Sequence, residues 1–128
     1  MNKLLGFVYL VTDSYSFKIG KTNGSIKSRI FGLQTGNANK ITEVKKISTS
    51  DVNAVEWFLH RKYKRFRKSG EWFKFNDERL KSVISFFEKI INSQILQKKI
   101  NTQYKNFRIQ QGVISRKHRF KKANKKCY

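Results

Sequence analysis

Residues 6–12, GFVYLVT, form a nearly continuous apolar run of β-branched and aromatic side chains, the pattern of a buried strand. DSYS follows as a turn, and FKIGK at 17–21 reads as a second strand, so the chain is expected to open with an antiparallel hairpin. TNG interrupts the strand, and Ser25 is placed to cap a helix over 26–34. TGNAN, 35–39, reads as a loop, and ITEVKKIS at 41–48 alternates as a third strand. Asp51 is placed to cap a second helix running to about Phe66. KSG then turns and EWFKF is a short extended piece. Asp77 is expected to cap a long amphipathic helix to about Ile100, with Leu80, Val83, Ile84, Phe87 and Ile91 along one side. Three strands mixed with helices place the chain in the α+β class.

Within these elements, three polar side chains fall in apolar surroundings. At helical spacing Ile26, Ile30 and Leu33 make a stripe, and Arg29 lies on its edge. In the second helix Val52, Val55, Leu59, Tyr63 and Phe66 make another, with Glu56 inside it and His60 beside it. A carboxylate facing the body of a small domain costs stability unless it is paired or holds a metal. Arg29 and Glu56 therefore either form one internal ion pair or each await a ligand. Tyr9 shares a strand face with Phe7 and Val11, and Lys18 shares one with Ser16 and Gly20, so the hairpin can set Tyr9 and Lys18 side by side.

Charge changes the picture most. The 128 residues hold 29 Lys and Arg against 8 Asp and Glu, a net charge of +21. That excess points to a polyanionic partner, DNA or RNA. It is uneven: residues 1–78 carry a net +8 and residues 79–128 a net +13. The pattern divides the chain into a core over 1–78, an amphipathic helix over 79–100 that packs on or extends it, and a basic tail over 101–128. The tail's Arg116, Lys117, Arg119, Lys121 and Lys122, with Lys27 on the first helix, are the candidates for contact with nucleic acid backbone. In the tail, RKHRFKKANKKCY is expected to order only against phosphate. A single cysteine, Cys127, excludes an internal disulfide and a cysteine-built zinc site, and suits a reducing cytoplasm. No stretch reaches the ~18 apolar residues of a membrane span, and the opening MNKLLGFVYLV lacks a cleavage pattern. Gly20-Lys21-Thr22 suggests a nucleotide loop at first sight, but that loop needs a glycine five residues earlier, where Tyr15 stands.

The ordered pieces Gly6 to Tyr9, KIGKT at 18–22, Arg29, TGN at 35–37, EWFLH at 56–60 and GEWF at 70–73 resemble the GIY-YIG nuclease superfamily, in its phage and meiotically upregulated branch. The first motif has Phe7 where the superfamily has glycine, and Lys18 stands where the second motif usually has tyrosine. The resemblance spans residues 6–76 and implies a small three-stranded antiparallel sheet flanked by helices, in agreement with the pattern above. It also implies a metal-dependent endonuclease that hydrolyses phosphodiester bonds, with double-stranded DNA as the expected substrate. Tyr9 would be the base or water-orienting group and Lys18 would replace the second tyrosine. Arg29 would bind the scissile phosphate. Glu56 would hold one divalent ion, Mg²⁺ or Mn²⁺. His60 would face the phosphate or leaving group, or else support Glu56 or a backbone carbonyl. Lys21, with Lys18, is placed to favour the anionic form that a tyrosine base needs. Glu71, Trp72 and Phe73 are expected to be structural. A cytoplasmic location, weak sequence specificity, and a homodimer or protein partner supplying what specificity exists complete the expectations. The alternative is a catalytically inactive nucleic-acid-binding or regulatory module on the same fold.

Overall fold

The computed structural model describes residues 5–125, with side chains described through Gly112. The elements are β1 Gly6–Thr12, β2 Phe17–Thr22, α1 Ile26–Thr35, β3 Thr42–Thr49, α2 Val52–Lys62, a short 3₁₀ turn Lys64–Phe66, β4 Arg67–Ser69, β5 Trp72–Phe73, α3 Asp77–Asn92 and α4 Gln94–Lys125. The strands make one antiparallel sheet in the order β3-β1-β2-β5-β4. The α+β class is as expected, but the sheet has five strands instead of three. The two extra strands are two and three residues long, too short to show a period. They become strands by pairing: Phe17 and Lys18 of β2 align with Phe73 and Trp72, and Gly70 at φ 55° turns the chain between β4 and β5.

β1 owes its apolar run to burial on both faces. Val8 and Leu10 enter a core with Ile47, Val55, Leu59 and Phe87, covered by α2, α3 and α4. Tyr9 and Val11 enter a smaller core with Ile26 and Ile41, onto which Ile30, Leu33 and Trp72 pack. The hairpin turn is fixed locally: Asp13 Oδ1 accepts from the amides of Tyr15 and Ser16 at 2.9 and 2.7 Å, and Ser14 takes φ 80°. Ser25 caps α1 through the amide of Ser28 at 3.1 Å, and Asp51 caps α2 through that of Ala54 at 3.0 Å, both as the sequence predicts.

The C-terminal third departs from expectation. α3 is capped by Asn76, whose Oδ1 accepts from the Arg79 amide at 2.7 Å, and Asp77 is its first helical residue. The predicted single helix to Ile100 breaks at Ser93, which is extended and whose Oγ accepts from the Leu96 amide at 3.1 Å to start α4. Apolar periodicity runs through this break, because both helices face the same core. Val83, Phe87 and Ile90 are buried, while Ile91 is 44% exposed, contrary to its assigned side. Where a basic tail was expected from 101, the backbone is helical to Lys125. α4 folds back on α2: Ile100 is fully buried, and Trp57 lies 5.4 Å from Tyr104 and 5.1 Å from Phe107 between ring centroids. Among the described residues no helix is long and apolar enough to cross a membrane.

Ile100→Ala should therefore cost about 2–5 kcal/mol in urea unfolding, and Ile95→Ala, at an 82% exposed position of the same helix, less than about 0.5 kcal/mol. Equal, small effects would mean that α4 does not dock.

Candidate functional site

The site lies where β2 loses its partner. β5 pairs only with Phe17 and Lys18, the Ile19 amide donates to the Glu71 carbonyl at 3.2 Å, and from Gly20 onward that edge of β2 is unpaired. Side chains from both layers of the fold converge there.

From the α1 side come Tyr9 and Arg29. Tyr9 is opposite Gly20 in the hairpin register, and its ring lies across the bare glycine backbone: a Cβ at Gly20 would sit 2.5 Å from the Tyr9 Cζ. Only glycine leaves room for this packing. Arg29, exposed on α1, reaches in and donates its Nε to the Tyr9 hydroxyl at 3.1 Å. That hydrogen bond and the negative charge Tyr9 would carry raise the Arg29 pKa above the ordinary guanidinium value. The fields of Glu71 and Glu56 add to the rise.

From the other side come Glu56 and His60, one turn apart on α2, and Glu71 from the β4–β5 turn. One ligand atom from each of the three lies within 4.8 Å of the others. His60 Nε2 is 2.7 Å from the Ile19 carbonyl. A carbonyl only accepts, so Nε2 carries the proton, and in the neutral ring Nδ1 is left to accept or to ligate. The ring stands edge-on to Phe73 with centroids 5.2 Å apart. Glu71 Oε1 takes a 2.8 Å ion pair from the buried Lys18 ammonium. Glu56 Oε1 lies 3.5 Å from Lys21 Nζ, and Lys21 also donates to Asn53 Oδ1 at 2.6 Å. Glu56 Oε2 is buried and has no hydrogen-bond partner.

The two carboxylates are driven apart. Burial raises the Glu56 pKa, reinforced by the charge of Glu71, and Lys21 and His60 offset only part of this. Burial pushes Glu71 up as well, but the hydrogen bond and charge of Lys18 outweigh it and leave its pKa lowered. Glu71 thus holds the charge, and Glu56 carries the unmet need. An orphaned carboxylate oxygen, a second carboxylate, and an imidazole whose other nitrogen donates to a backbone carbonyl fit a divalent cation, since ligand histidines are commonly oriented in this way.

The structure brings Tyr9, Lys18, Lys21, Arg29, Glu56 and His60 to one strand edge. The expected pairing of Lys18 and Lys21 with Tyr9 is corrected: each ammonium sits on a carboxylate, because two acids in a half-buried cluster demand counter-charge, and the cation touching Tyr9 is Arg29. Arg29 and Glu56 do not form the internal ion pair that the sequence left open. Lys27 is exposed on α1. The side chains of Arg116, Lys117, Arg119, Lys121 and Lys122 lie outside the described residues. Glu71, expected to be structural, instead belongs to the acidic cluster. Its signal in the sequence was its place in GEWF, directly after the Gly70 turn.

A profile of the T5orf172 domain matches residues 6–88, from β1 through most of α3. The chain belongs to the T5orf172 domain family. T5orf172 domains occur in phage and nuclease-like proteins and are related to GIY-YIG-type and homing-endonuclease-like folds. No curated protein and no solved structure matches the chain. All seven clustered side chains, Glu71 included, lie inside the T5orf172 match, and α4 lies beyond it.

The opposed carboxylates predict opposite stabilities. Folding raises the Glu56 pKa, so the folded state holds that proton more tightly than the unfolded chain, and the penalty of ionising it grows as pH rises through the carboxylate range. Glu56→Gln should therefore melt a few degrees higher than the parent at neutral pH, with the gap closing toward about pH 4. Glu71→Gln should melt lower at neutral pH, because it strips the buried Lys18 of its partner. Its deficit should shrink as acid protonates the parent's Glu71. Melting curves across that pH range, with the two variants shifting in the same direction, would refute the division of labour.

Proposed function

We propose that the protein is a metal-dependent endonuclease of the GIY-YIG type, acting on DNA. The observation that carries this reading is the buried, unpartnered Oε2 of Glu56, set beside Glu71 and His60 at the strand edge where Tyr9 and Arg29 also end. A carboxylate oxygen buried without a partner costs stability, and a site that keeps one suits a cation that arrives with the substrate. The T5orf172 family, with its nuclease-like members, supports the same reading.

Glu56 would hold one Mg²⁺ or Mn²⁺, with Glu71 or His60 Nδ1 available as further ligands. Such an ion supplies positive charge against the oxygens of a phosphodiester under attack. The chain's own groups do the rest. Arg29, its charge secured, lies at the surface with its terminal nitrogens free of the Tyr9 hydrogen bond, ready to bind the non-bridging oxygens on which charge builds. Tyr9 is fully buried and held by Gly20 and by Arg29 Nε, so its hydroxyl has one fixed position; in its phenolate form, stabilised by Arg29, it would take the proton of the attacking water where that water reaches the strand edge. Water oxygen adds to phosphorus as the bond to one deoxyribose oxygen breaks, and that oxygen leaves as an alcohol with a proton taken from solvent. His60 donates Nε2–H to the Ile19 carbonyl; in the neutral ring its Nδ1 would serve as ligand or acceptor. Lys18 keeps Glu71 ionised, and Lys21 opposes part of the burial cost at Glu56. Binding of DNA alone, without cutting, is the second reading, and the same assay separates the two.

Supercoiled plasmid incubated with Mg²⁺ or Mn²⁺ should be nicked by the parent protein, and Arg29→Ala and Glu56→Gln should each lose about 100-fold or more in rate. A parent that binds DNA yet leaves it intact with both ions would establish the binding module instead. Mn²⁺ alone should raise the melting temperature of the parent and leave that of Glu56→Gln unmoved. An equal shift in both would remove Glu56 from the metal site.

A further inference from the structure

α4 lies outside the T5orf172 match, yet it forms one wall of a cleft that Lys21, Glu56 and His60 of the candidate site also line. A surface cleft of about 530 Å³ is lined on one side by Lys21, Glu56, His60 and Arg61, and on the other by Tyr104, Phe107, Arg108 and Gln111 of α4. Lys64 and Arg67 extend its floor. Five cations and one carboxylate line it, and that carboxylate is the orphaned Glu56. The chemistry suits an anionic polymer passing the site, not a neutral small molecule.

The aromatic side chains decide how such a polymer is read. Trp57 packs against both Tyr104 and Phe107. Their outer faces are taken by guanidinium groups: Arg61 lies 5.0 Å from the Trp57 centroid and 5.8 Å from that of Phe107, and Arg108 lies 5.8 Å from that of Tyr104. These rings are therefore not free for nucleobases to stack on, as they would be in a single-strand platform. They hold two arginines in fixed positions along the cleft. A planar guanidinium fixed in this way suits phosphate oxygens.

We infer that the α2–α4 cleft, through Arg61 and Arg108, grips the phosphodiester backbone of DNA next to the Glu56 cluster and reads no bases. This rests on the proposed nuclease function only in naming DNA as the polyanion. The aromatic packing also assigns α4 a defined place beside the site, in contrast to a tail that gathers affinity at a distance.

The test is fluorescence anisotropy of a short labelled duplex, with chelator present so that no divalent ion contributes, over a range of salt. Arg61→Ala and Arg108→Ala should each weaken binding several-fold and flatten the log–log salt slope by about 0.9 for each phosphate no longer neutralised. Arg108→Lys, which keeps the charge but loses the planar fork stacked on Tyr104, should leave the salt slope nearly unchanged and still weaken binding. Gln111→Glu, which removes no packing, should weaken binding by repulsion. Lys81→Ala, exposed on α3 away from the cleft, is the control. Scrambling the duplex sequence should leave all values unchanged. The inference is overturned if the cleft variants bind as the Lys81 control does, if a strong sequence preference appears, or if polyglutamate competes as well as DNA. The nuclease reading fails separately, by absence of nicking, and leaves these binding differences intact.

Discussion

The fold is governed by the burial of β1 on both faces. A central strand with Val8 and Leu10 on one side and Tyr9 and Val11 on the other must be covered by two layers. A chain of 128 residues meets this with α1 below the sheet and α2, α3 and α4 above it. Chemistry-bearing side chains are thereby split between layers, Arg29 on one and Glu56 and His60 on the other. They can meet only at a sheet edge. The shortness of β5 leaves that edge open from Gly20, and the absence of a side chain at Gly20 lets Tyr9 lie there.

Within the cluster the electrostatics are poised, not relaxed. Two carboxylates lie beside each other in a half-buried place, and the two ammonium groups near them answer unequally. Lys18 is buried and close to Glu71, whereas Lys21 is exposed, 3.5 Å from Glu56 and shared with Asn53. A better-balanced cluster would be more stable.

Much of this was legible in the sequence. The hairpin, the caps Ser25 and Asp51 and the partial burial of Glu56 follow from period and capping chemistry, which act over a few residues. What the sequence did not show depends on long-range pairing. β4 and β5 are strands only because β2 lies beside them. The break at Ser93 is invisible to an apolar period that both flanking helices share. Glu71 joins Glu56 through a turn fifteen positions away along the chain. The basicity of the C-terminal third suggested a tail, because lysine count says nothing about the apolar positions Ile100, Tyr104 and Phe107 interleaved with it, and those dock the helix.

His60 has a consequence for how the molecule comes together. Its orientation depends on the Ile19 carbonyl, 41 residues earlier in the chain, and Lys18 finds Glu71 only 53 residues later. Contacts of such separation form late, after loop closure has been overcome. A growing or partly unfolded chain can hold the hairpin and α1, with Tyr9 and Arg29 near each other, and still lack the half built on Glu56, His60 and Glu71. The whole cluster exists only in the finished fold.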